Sequence, residues 1–363
     1  MKSKTSSLVI AGTFAGVAIA FGIVCPPPLQ GQVDPKYEVD PSWPQPLPDG
    51  WVTGWIGGVC IDAHDHVFIL NRRNLTENEL AAAHQAPPVI EFDPEGNVVN
   101  SWGDPDVVPK KLHGCTVDRE NNVWLAGSED GIVQKYAHDG KLLLQIGTSG
   151  VFDTSDGTIT GRALNSSHTQ FNQPAGIAVD PASGEVYVAD GYGNDRVAVF
   201  DRNGKFLRQW GRQGTKSEAD AGEGGVFMQV VHCVEIGNDG LVYVCDRQGD
   251  RVQVFDKMGN FQKNIWIRTG NPHMPDRFGT VLWVGFSPDQ AQRYMYVANE
   301  HNDHINIIDR ASGQLLSSFG RAGHQVGDFT HCHTLAVDSK GNIYVAEVNW
   351  GNRVQKFKIA GSQ

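Results

Sequence analysis

The sequence has no excess of basic residues. Its 363 residues include 30 Lys and Arg against 41 Asp and Glu, so the formal net charge is −11 at pH 7. Phosphate backbones and anionic lipids are bound by clustered Lys and Arg, so this balance argues against nucleic-acid and membrane-surface partners. Charged residues are also scarce, at 20%, whereas glycine is frequent, with 42 residues. That combination is typical of short strands joined by many tight turns.

Cysteine is scarce as well, with six residues in the whole chain. Cys25 lies in the amino-terminal segment, and the other five are isolated from one another, mostly within apolar runs. These five are Cys60, Cys115, Cys233, Cys245 and Cys332. Because their number is odd and their spacing irregular, the sequence does not suggest a disulfide framework, and we predict small buried fillers.

The sequence has one long apolar run, at residues 8–24, preceded by two lysines. The tripeptide AIA at 18–20 offers a small-residue cleavage site, so we predict that residues 1–33 are an export signal and linker. An uncleaved membrane anchor is the alternative, because the run is just long enough to span a bilayer. In both cases we expect the folded part, residues 34–363, to be exported, as a periplasmic or secreted domain.

A repeated unit dominates the rest of the chain. Six stretches share a β-branched and aromatic pattern: VFIL (67–70), VWLA (123–126), VYVA (186–189), VYVC (242–245), MYVA (295–298) and IYVA (343–346). A turn and another apolar strand precede each stretch, and an alternating strand such as RVAVFD (196–201) follows it. In five units a glycine then opens a fourth strand. Four short antiparallel strands, repeated in this way, predict an all-β fold, a six-bladed β-propeller.

The sixth unit lacks its fourth strand. It ends at RVQKFK (353–358), whereas an unassigned segment, YEVDPSWP (37–44), precedes the first unit and carries a tryptophan like other fourth strands. We predict that this segment pairs into the last blade and closes the ring, which would hide two exposed strand edges.

Histidine recurs in alternate units at one position, the start of the innermost strand. The six equivalent positions in blade order are Gly57, His113, Ala175, His232, Leu282 and His333. A single histidine at a strand end is usually structural, but this alternation should bring three imidazoles together around the central axis. Three imidazoles with an open fourth position suit catalytic zinc, so we predict one zinc ion per chain.

The second strands of the units end on the same rim as the histidines. Arg72 follows the second strand of blade 1, Arg247 that of blade 4, and Tyr192 lies just beyond that of blade 3. Singly, each is typical of a packed rim residue. Around a metal, two guanidiniums suggest capture of a carboxylate, and a phenol suggests acid–base catalysis. The insertion at 73–88 is an ordinary long loop or a lid, and its ENELAAA stretch predicts a short helix.

Four motifs resemble those of the peptidyl-α-hydroxyglycine α-amidating lyases, a family of NHL-repeat propellers. They are HGCTVD, QPAGIAVDPASGEVYVADGYGNDRV, VYVCDRQGDRVQVF and HTLAVDSKGNIYVAE, and the similarity runs over residues 50–358. The resemblance implies a zinc lyase that cleaves the N–Cα bond of a peptidyl- or N-acyl-α-hydroxyglycine, giving an amide and glyoxylate. It places the zinc ligands at His113, His232 and His333. It also implies that Tyr192, Arg72 and Arg247 are catalytic.

The chain departs from this family at several positions. His331 replaces a methionine two residues before the third zinc histidine, where it would join the metal or reshape the pocket. Thr334 replaces the aspartate of the family's structural calcium site, which argues against bound calcium. Two disulfides of the animal enzymes are missing, because the paired positions hold Asn172 with Gly193, and Tyr243 with Val254.

Two other functions remain open. One is a zinc hydrolase of lactones or esters, and the other is a non-catalytic NHL propeller that binds a protein or peptide. The alternating histidines favour the two enzymes, and Tyr192 with the arginines favours the lyase, because a metal hydroxide needs no separate phenol base. We therefore expect a small peptide or N-acyl amino acid substrate with a carboxylate. We expect no nucleic-acid partner, and no membrane contact beyond a retained amino-terminal anchor.

Overall fold

The computed structural model describes residues 34–267 and 281–361. Its regular structure is almost entirely β, arranged as six four-stranded antiparallel sheets, which confirms the predicted six-bladed propeller. Blades 1 to 3 consist of Ile56–Ile61, Val67–Asn71, Val89–Phe92 and Val98–Trp102; Leu112–Val117, Val123–Gly127, Val133–Tyr136 and Leu142–Ile146; and Pro174–Val179, Val186–Asp190, Arg196–Phe200 and Phe206–Trp210. Blades 4 to 6 consist of Val231–Ile236, Val242–Asp246, Arg251–Phe255 and Phe261–Trp266; Trp283–Phe286, Tyr294–Asn299, His304–Asp309 and Gln314–Phe319; and Cys332–Val337, Ile343–Glu347, Val354–Ile359 and Tyr37–Val39.

The remaining elements are short and lie in the connections between the blade strands. Two parallel pairs of two-residue strands join Trp51–Val52 to His84–Gln85 and Arg212–Gln213 to Val226–Phe227. The α-helices are Glu77–Ala82 and Lys216–Asp220, and the 3₁₀ turns are Pro48–Gly50, Arg247–Gly249 and Glu300–Asn302. The helix predicted in the insertion after Arg72 is confirmed, and a reciprocal capping box between Thr76 and Glu79 starts it.

The inner strands hold the ring together. The first strand of each blade contacts the first strand of the next, and that of blade 6 returns to that of blade 1. The second strands are buried along their whole length because sheets pack on both of their faces, and this explains why they are almost continuously apolar. The core therefore lies between neighbouring sheets, in layers around the axis.

Aspartates shape the turns on one rim. In blade 2 the Asp118 carboxylate accepts the backbone N–H of Asn122 at 2.9 Å, and in blade 6 Asp338 accepts that of Asn342 at 2.8 Å. Such side-chain bonds stabilise a turn locally, without help from the rest of the fold. The recurring Asp and Asn residues between first and second strands are therefore explained by turn formation.

The amino-terminal segment closes the ring as predicted. Tyr37 pairs with Ile359, and Val39 with Phe357, in an antiparallel ladder that supplies the fourth strand of blade 6. Beyond this strand the Trp43 ring, 5% exposed, lies 4.8 Å from that of Tyr344 in blade 6 and 5.4 Å from that of Phe92 in blade 1. The segment thus joins the last blade to the first.

The prediction that the cysteines are unpaired fillers was wrong for four of them. Cys60 and Cys115 form a disulfide across the inner strands of blades 1 and 2, and Cys233 and Cys245 form one within blade 4. Sequence spacing hides the first pair, because the residues are 55 apart and only ring assembly brings their Cα atoms to 5.7 Å. The second pair lies across the hairpin formed by the first two strands of blade 4. Val234 pairs with Val244 there, and Cys233 and Cys245 are the next residues away from the turn. Cys332 is a buried free thiol, as expected.

Residues 1–33, which contain the predicted export signal or anchor, lie outside the described residues. Among the described residues, no helix is long and apolar enough to cross a membrane.

Replacing Trp43 by alanine tests the closure. We expect Trp43→Ala to lower the free energy of unfolding by about 3–5 kcal/mol, because removal of this buried indole leaves a cavity between blades 6 and 1. The matched control is Trp350→Ala: that ring is 81% exposed, so its loss should change stability by less than about 0.5 kcal/mol. Denaturant unfolding measures the free energy of unfolding of both variants, and equal losses would contradict a structural role for Trp43 between blades 6 and 1.

Thiol alkylation tests the disulfides. In denatured, unreduced protein we expect Cys332 to react while Cys60, Cys115, Cys233 and Cys245 stay protected until a reductant is added. Reduction should also lower the free energy of unfolding by about 2–4 kcal/mol for each bond, because the unfolded chain loses a constraint. Alkylation of all five cysteines without reductant, mapped by mass spectrometry, would disprove the pairing.

Candidate active site

The three alternating histidines lie at β-bulges. In blade 2 the register shifts between Leu112 and Cys115, and comparable shifts occur around the histidines of blades 4 and 6. A bulge leaves one residue unpaired and redirects its side chain, so each histidine can turn out of the ladder towards the axis. The local backbone thus explains why one position of the repeat carries the site.

The structure brings these three imidazoles together. The ring of His113 lies 4.7 Å from that of His232 and 4.6 Å from that of His333, and the last two are 5.1 Å apart. One nitrogen from each ring lies within 4.8 Å of the other two, and all three residues are buried. This cluster could hold a metal ion, as the alternation in the sequence predicted.

Carbonyls from the intervening blades orient the rings. His232 Nδ1 lies 2.8 Å from the Leu282 carbonyl oxygen, and His333 Nδ1 lies 3.0 Å from that of Gly57. For His113 the corresponding carbonyl belongs to Ala175, but Nδ1 of His113 forms no well-aligned hydrogen bond with it. A carbonyl at Nδ1 selects the tautomer that leaves the Nε2 lone pair free. Blades that carry a histidine therefore alternate with blades that supply a carbonyl acceptor.

Tyr192 lies above this cluster. Its hydroxyl oxygen is 3.2 Å from His113 Nε2 and 3.0 Å from His232 Nε2, the nitrogens that the carbonyls leave free. Gly191 permits this approach, because a Cβ there would lie 2.1 Å from the Val231 carbonyl oxygen. Tyr192 thus shares one small space with the ligand nitrogens.

Burial sets the protonation states of the site. Desolvation lowers the pKa of His113, His232 and His333 well below the ordinary value, so the imidazoles are neutral, as metal ligands must be. Burial raises the pKa of Tyr192, whereas the positive charges of Arg247 and Arg72 act in the opposite direction. Burial outweighs the two charges, so the pKa of Tyr192 stays above its ordinary value, although the arginines favour the phenolate that a base would require.

Two different contacts hold the arginines. Arg72 Nε donates to the Leu112 carbonyl at 2.8 Å, and Gly57 makes room for it, because a Cβ would lie 2.8 Å from that nitrogen. Arg247 donates from Nη2 to Glu300 at 2.7 Å, while its buried Nε has no hydrogen-bond partner. Burial lowers the pKa of Arg247, but attraction to Tyr192 and Glu300 outweighs it. The structure thus brings all six predicted residues into one site.

His331 does not join the imidazole cluster. Its Nε2 lies 3.2 Å from Glu300 Oε1 and its Nδ1 lies 3.1 Å from Asn349 Nδ2, so both ring nitrogens already face partners. Its backbone adopts φ = 96°, which is strained for a residue with a side chain. Of the two expectations for His331, the structure favours the one in which it shapes the pocket wall.

Glu300 and the orienting carbonyls were not among the residues predicted from the sequence. Glu300 directly follows the second strand of blade 5, on the same rim as Arg72 and Arg247, and contacts both Arg247 and His331. Glu300 could have been predicted from its position after a second strand, since Arg72 and Arg247 were predicted from the same position in blades 1 and 4. The carbonyls of Gly57 and Leu282 carried no signal, because a backbone acceptor is independent of the residue type.

Comparison with known proteins identifies the repeat. The NHL repeat family matches residues 171–200 and 329–357, in blades 3 and 6. The structure called "Streptogramin B lyase structure" matches with a TM-score of 0.53 at 11% identity, over 89% of this chain and 98% of that one. At this identity the match supports the propeller fold alone.

Three relatives align with most of the chain. Peptidyl-glycine alpha-amidating monooxygenase A of Xenopus laevis is 27% identical, over 89% of this chain and 33% of its own length. Peptidyl-alpha-hydroxyglycine alpha-amidating lyase 1 of Drosophila melanogaster is 27% identical, over 84% and 57%. NHL repeat-containing protein 3 of Homo sapiens is 26% identical, over 88% and 84%. This chain spans about a third of the Xenopus protein. The predicted resemblance is thus confirmed: the chain is a propeller with NHL-repeat matches in two blades, and it is similar over most of its length to proteins named peptidyl-α-hydroxyglycine α-amidating lyases.

Proposed function

We propose that the protein is a zinc-dependent lyase that splits a peptidyl- or N-acyl-α-hydroxyglycine into an amide and glyoxylate. One observation carries the proposal: the Tyr192 hydroxyl lies 3.2 and 3.0 Å from two imidazole nitrogens of a three-histidine cluster. A metal-binding propeller without this chemistry would not need a phenol at that place, or two arginines that favour its ionised form. Similarity to the Drosophila lyase agrees with this proposal.

The donor set suits zinc. His113, His232 and His333 are neutral and buried. Backbone carbonyls lie at hydrogen-bond distance from Nδ1 of His232 and His333, as is usual for the non-ligating nitrogen of a metal-bound histidine. When bound there, zinc would act as a Lewis acid on the substrate's α-hydroxyl oxygen. Three protein ligands leave one position open for that oxygen.

The chain's own residues would then move the proton and hold the substrate. Tyr192, as the phenolate, would take the proton of the α-hydroxyl group. The C–N bond breaks, its electron pair goes to nitrogen, and the hydroxyl oxygen becomes the aldehyde oxygen of glyoxylate. The phenol then returns its proton to the amide nitrogen. Arg247, with its unpartnered Nε, would bind the substrate carboxylate together with Arg72.

The setting and the partner are also part of the proposal. The two disulfides favour an oxidising compartment, which agrees with an exported protein. The substrate would be a small peptide or an N-acyl amino acid with a free carboxylate. The alternative is a non-catalytic binding propeller, for which the match over 84% of human NHL repeat-containing protein 3 is the specific observation.

Removing one ligand histidine tests the metal. We expect His232→Ala to reduce the zinc content of purified protein by one ion per chain, because two imidazoles bind a divalent ion weakly. His168→Ala is the matched control: this histidine stacks on Phe206, outside the cluster, and its loss should leave the metal content unchanged. Elemental analysis by mass spectrometry measures both variants. Full zinc content in the His232 variant would rule out the site.

Removing one hydroxyl tests the base. Tyr192→Phe should keep the bound metal but lower glyoxylate release from N-acyl-α-hydroxyglycine by about 10²–10⁴-fold, the usual contribution of an acid–base group. Tyr187→Phe is the matched control, because this blade 3 phenol donates to Glu185 at 2.9 Å and does not contact the imidazoles. It should keep nearly full activity.

The same variant separates the alternatives. A zinc hydrolase would open a lactone or ester with little loss in Tyr192→Phe, because a metal-bound hydroxide needs no phenol. A binding propeller would release no glyoxylate and hydrolyse no ester even in the unsubstituted protein. Either result would overturn the lyase proposal.

A further inference from the structure

A second group of metal-type side chains lies on the rim opposite the three histidines, between blades 1 and 2. Asp62 follows the first strand of blade 1, Glu91 lies near the end of its third strand, and His138 follows the third strand of blade 2. One ligand atom from each lies within 4.8 Å of the other two. The Asp62 and Glu91 side chains are each 1% exposed, so two carboxylates share a buried space.

This pair lacks the cation that its counterparts have. Asp118, at the turn of blade 2 equivalent to that of Asp62, lies 2.8 Å from Lys135 Nζ, and Asp180 in blade 3 lies 2.8 Å from Lys257 Nζ. Within residues 34–267 and 281–361, Asp62 and Glu91 form ion pairs with histidines alone. Two neighbouring buried carboxylates repel each other and have lost hydration, and a bound cation removes both costs.

Each carboxylate has one oxygen held by the protein and one turned to the shared space. Asp62 Oδ1 accepts the backbone N–H groups of His64 at 2.8 Å and His66 at 2.9 Å, whereas Oδ2 has no hydrogen bond. Glu91 Oε1 lies 2.6 Å from His66 Nδ1. Its Oε2 has no hydrogen bond, although His138 Nε2 is 3.1 Å away. Three potential ligand atoms thus face one another without bonding.

Asn121 can orient the third ligand. Its Nδ2 lies 2.9 Å from His138 Nδ1, and its buried Oδ1 has no partner. Amide oxygen and nitrogen are nearly interchangeable in shape, so the rotated amide would accept the Nδ1–H of His138. That arrangement places the lone pair of His138 on Nε2, towards Glu91. It is the same arrangement that backbone carbonyls create in the three-histidine cluster.

We propose that Asp62 Oδ2, Glu91 Oε2 and His138 Nε2 bind a second divalent ion of the zinc class, which joins blade 1 to blade 2. The imidazole ligand favours zinc over calcium or magnesium, which prefer oxygen ligands alone. His64 would supply the fourth ligand, because its ring is 74% exposed and its Nδ1 lies 3.5 Å from Asp62 Oδ2. A closed set of four ligands is typical of a structural zinc site.

Metal stoichiometry tests this proposal without reference to catalysis. The full chain is stripped with a chelator, reloaded with Zn²⁺, freed of unbound ion by gel filtration and measured by elemental mass spectrometry. We expect two zinc ions in the unsubstituted protein, one each in Glu91→Gln and His138→Gln, and one in His232→Ala. Combining His138→Gln with His232→Ala should leave none. His324→Gln, a change at an exposed residue outside both clusters, should keep two.

Stability in the His232→Ala background gives the second readout. Zn²⁺ should raise the melting temperature of that variant, and the additional His138→Gln change should abolish the rise, because only an ion bound to the folded state stabilises it. If Glu91→Gln does not fold, His138→Gln decides, since that ring is 39% exposed and not part of the core. Two zinc ions retained in His138→Gln, or a single ion in the unsubstituted protein that His138→Gln also retains, would overturn the proposal.

Discussion

The bond between His333 Nδ1 and the Gly57 carbonyl, at 3.0 Å, joins the last blade to the first. It forms only if the ring closes, through contact between the first strands of blades 6 and 1, and the pairing of Tyr37–Val39 with the third strand of blade 6 completes the last blade. The third imidazole of the candidate metal site is thus oriented by a residue 276 positions earlier in the chain. A substitution that weakens the junction between blades 6 and 1 should therefore affect the site as well as the fold.

The site has lower symmetry than the fold that carries it. The repeat gives six equivalent positions at the starts of the inner strands, and three carry imidazoles while the other three lie beside them with backbone carbonyls. Bulges at these positions release the side chains from the ladder, so the same irregularity that weakens pairing locally makes the cluster possible. The rim residues break the symmetry further. Tyr192, Arg247 and Arg72 place the reactive side chains on one side of the propeller axis. Glu300 holds Arg247 through an ion pair.

Blades 1 and 2 are joined more firmly than strand contact requires. The Cys60–Cys115 disulfide joins their inner strands, and Asp62, Glu91 and His138 meet at the rim between them. These blades also carry Arg72 and His113, so a fixed spacing between them holds two site residues at a constant distance. Tyr243 and Val254, where the resemblance implied one of the missing disulfides, lie opposite each other on two strands of blade 4.

The sequence by itself indicated the blade count, the closing strand and the six residues of the candidate site, because each is a local pattern compared across a repeat. Short apolar strands and aspartate turns are encoded within single units, and the alternation of His113, His232 and His333 is visible once the units are aligned. Only the tertiary structure decided what depends on distance between units. The Cys60–Cys115 bond, the carbonyls of Gly57 and Leu282, and the Glu91–His138 contact join residues from different blades. Spacing within one unit carries no information about them, since they arise when the ring brings neighbouring sheets together.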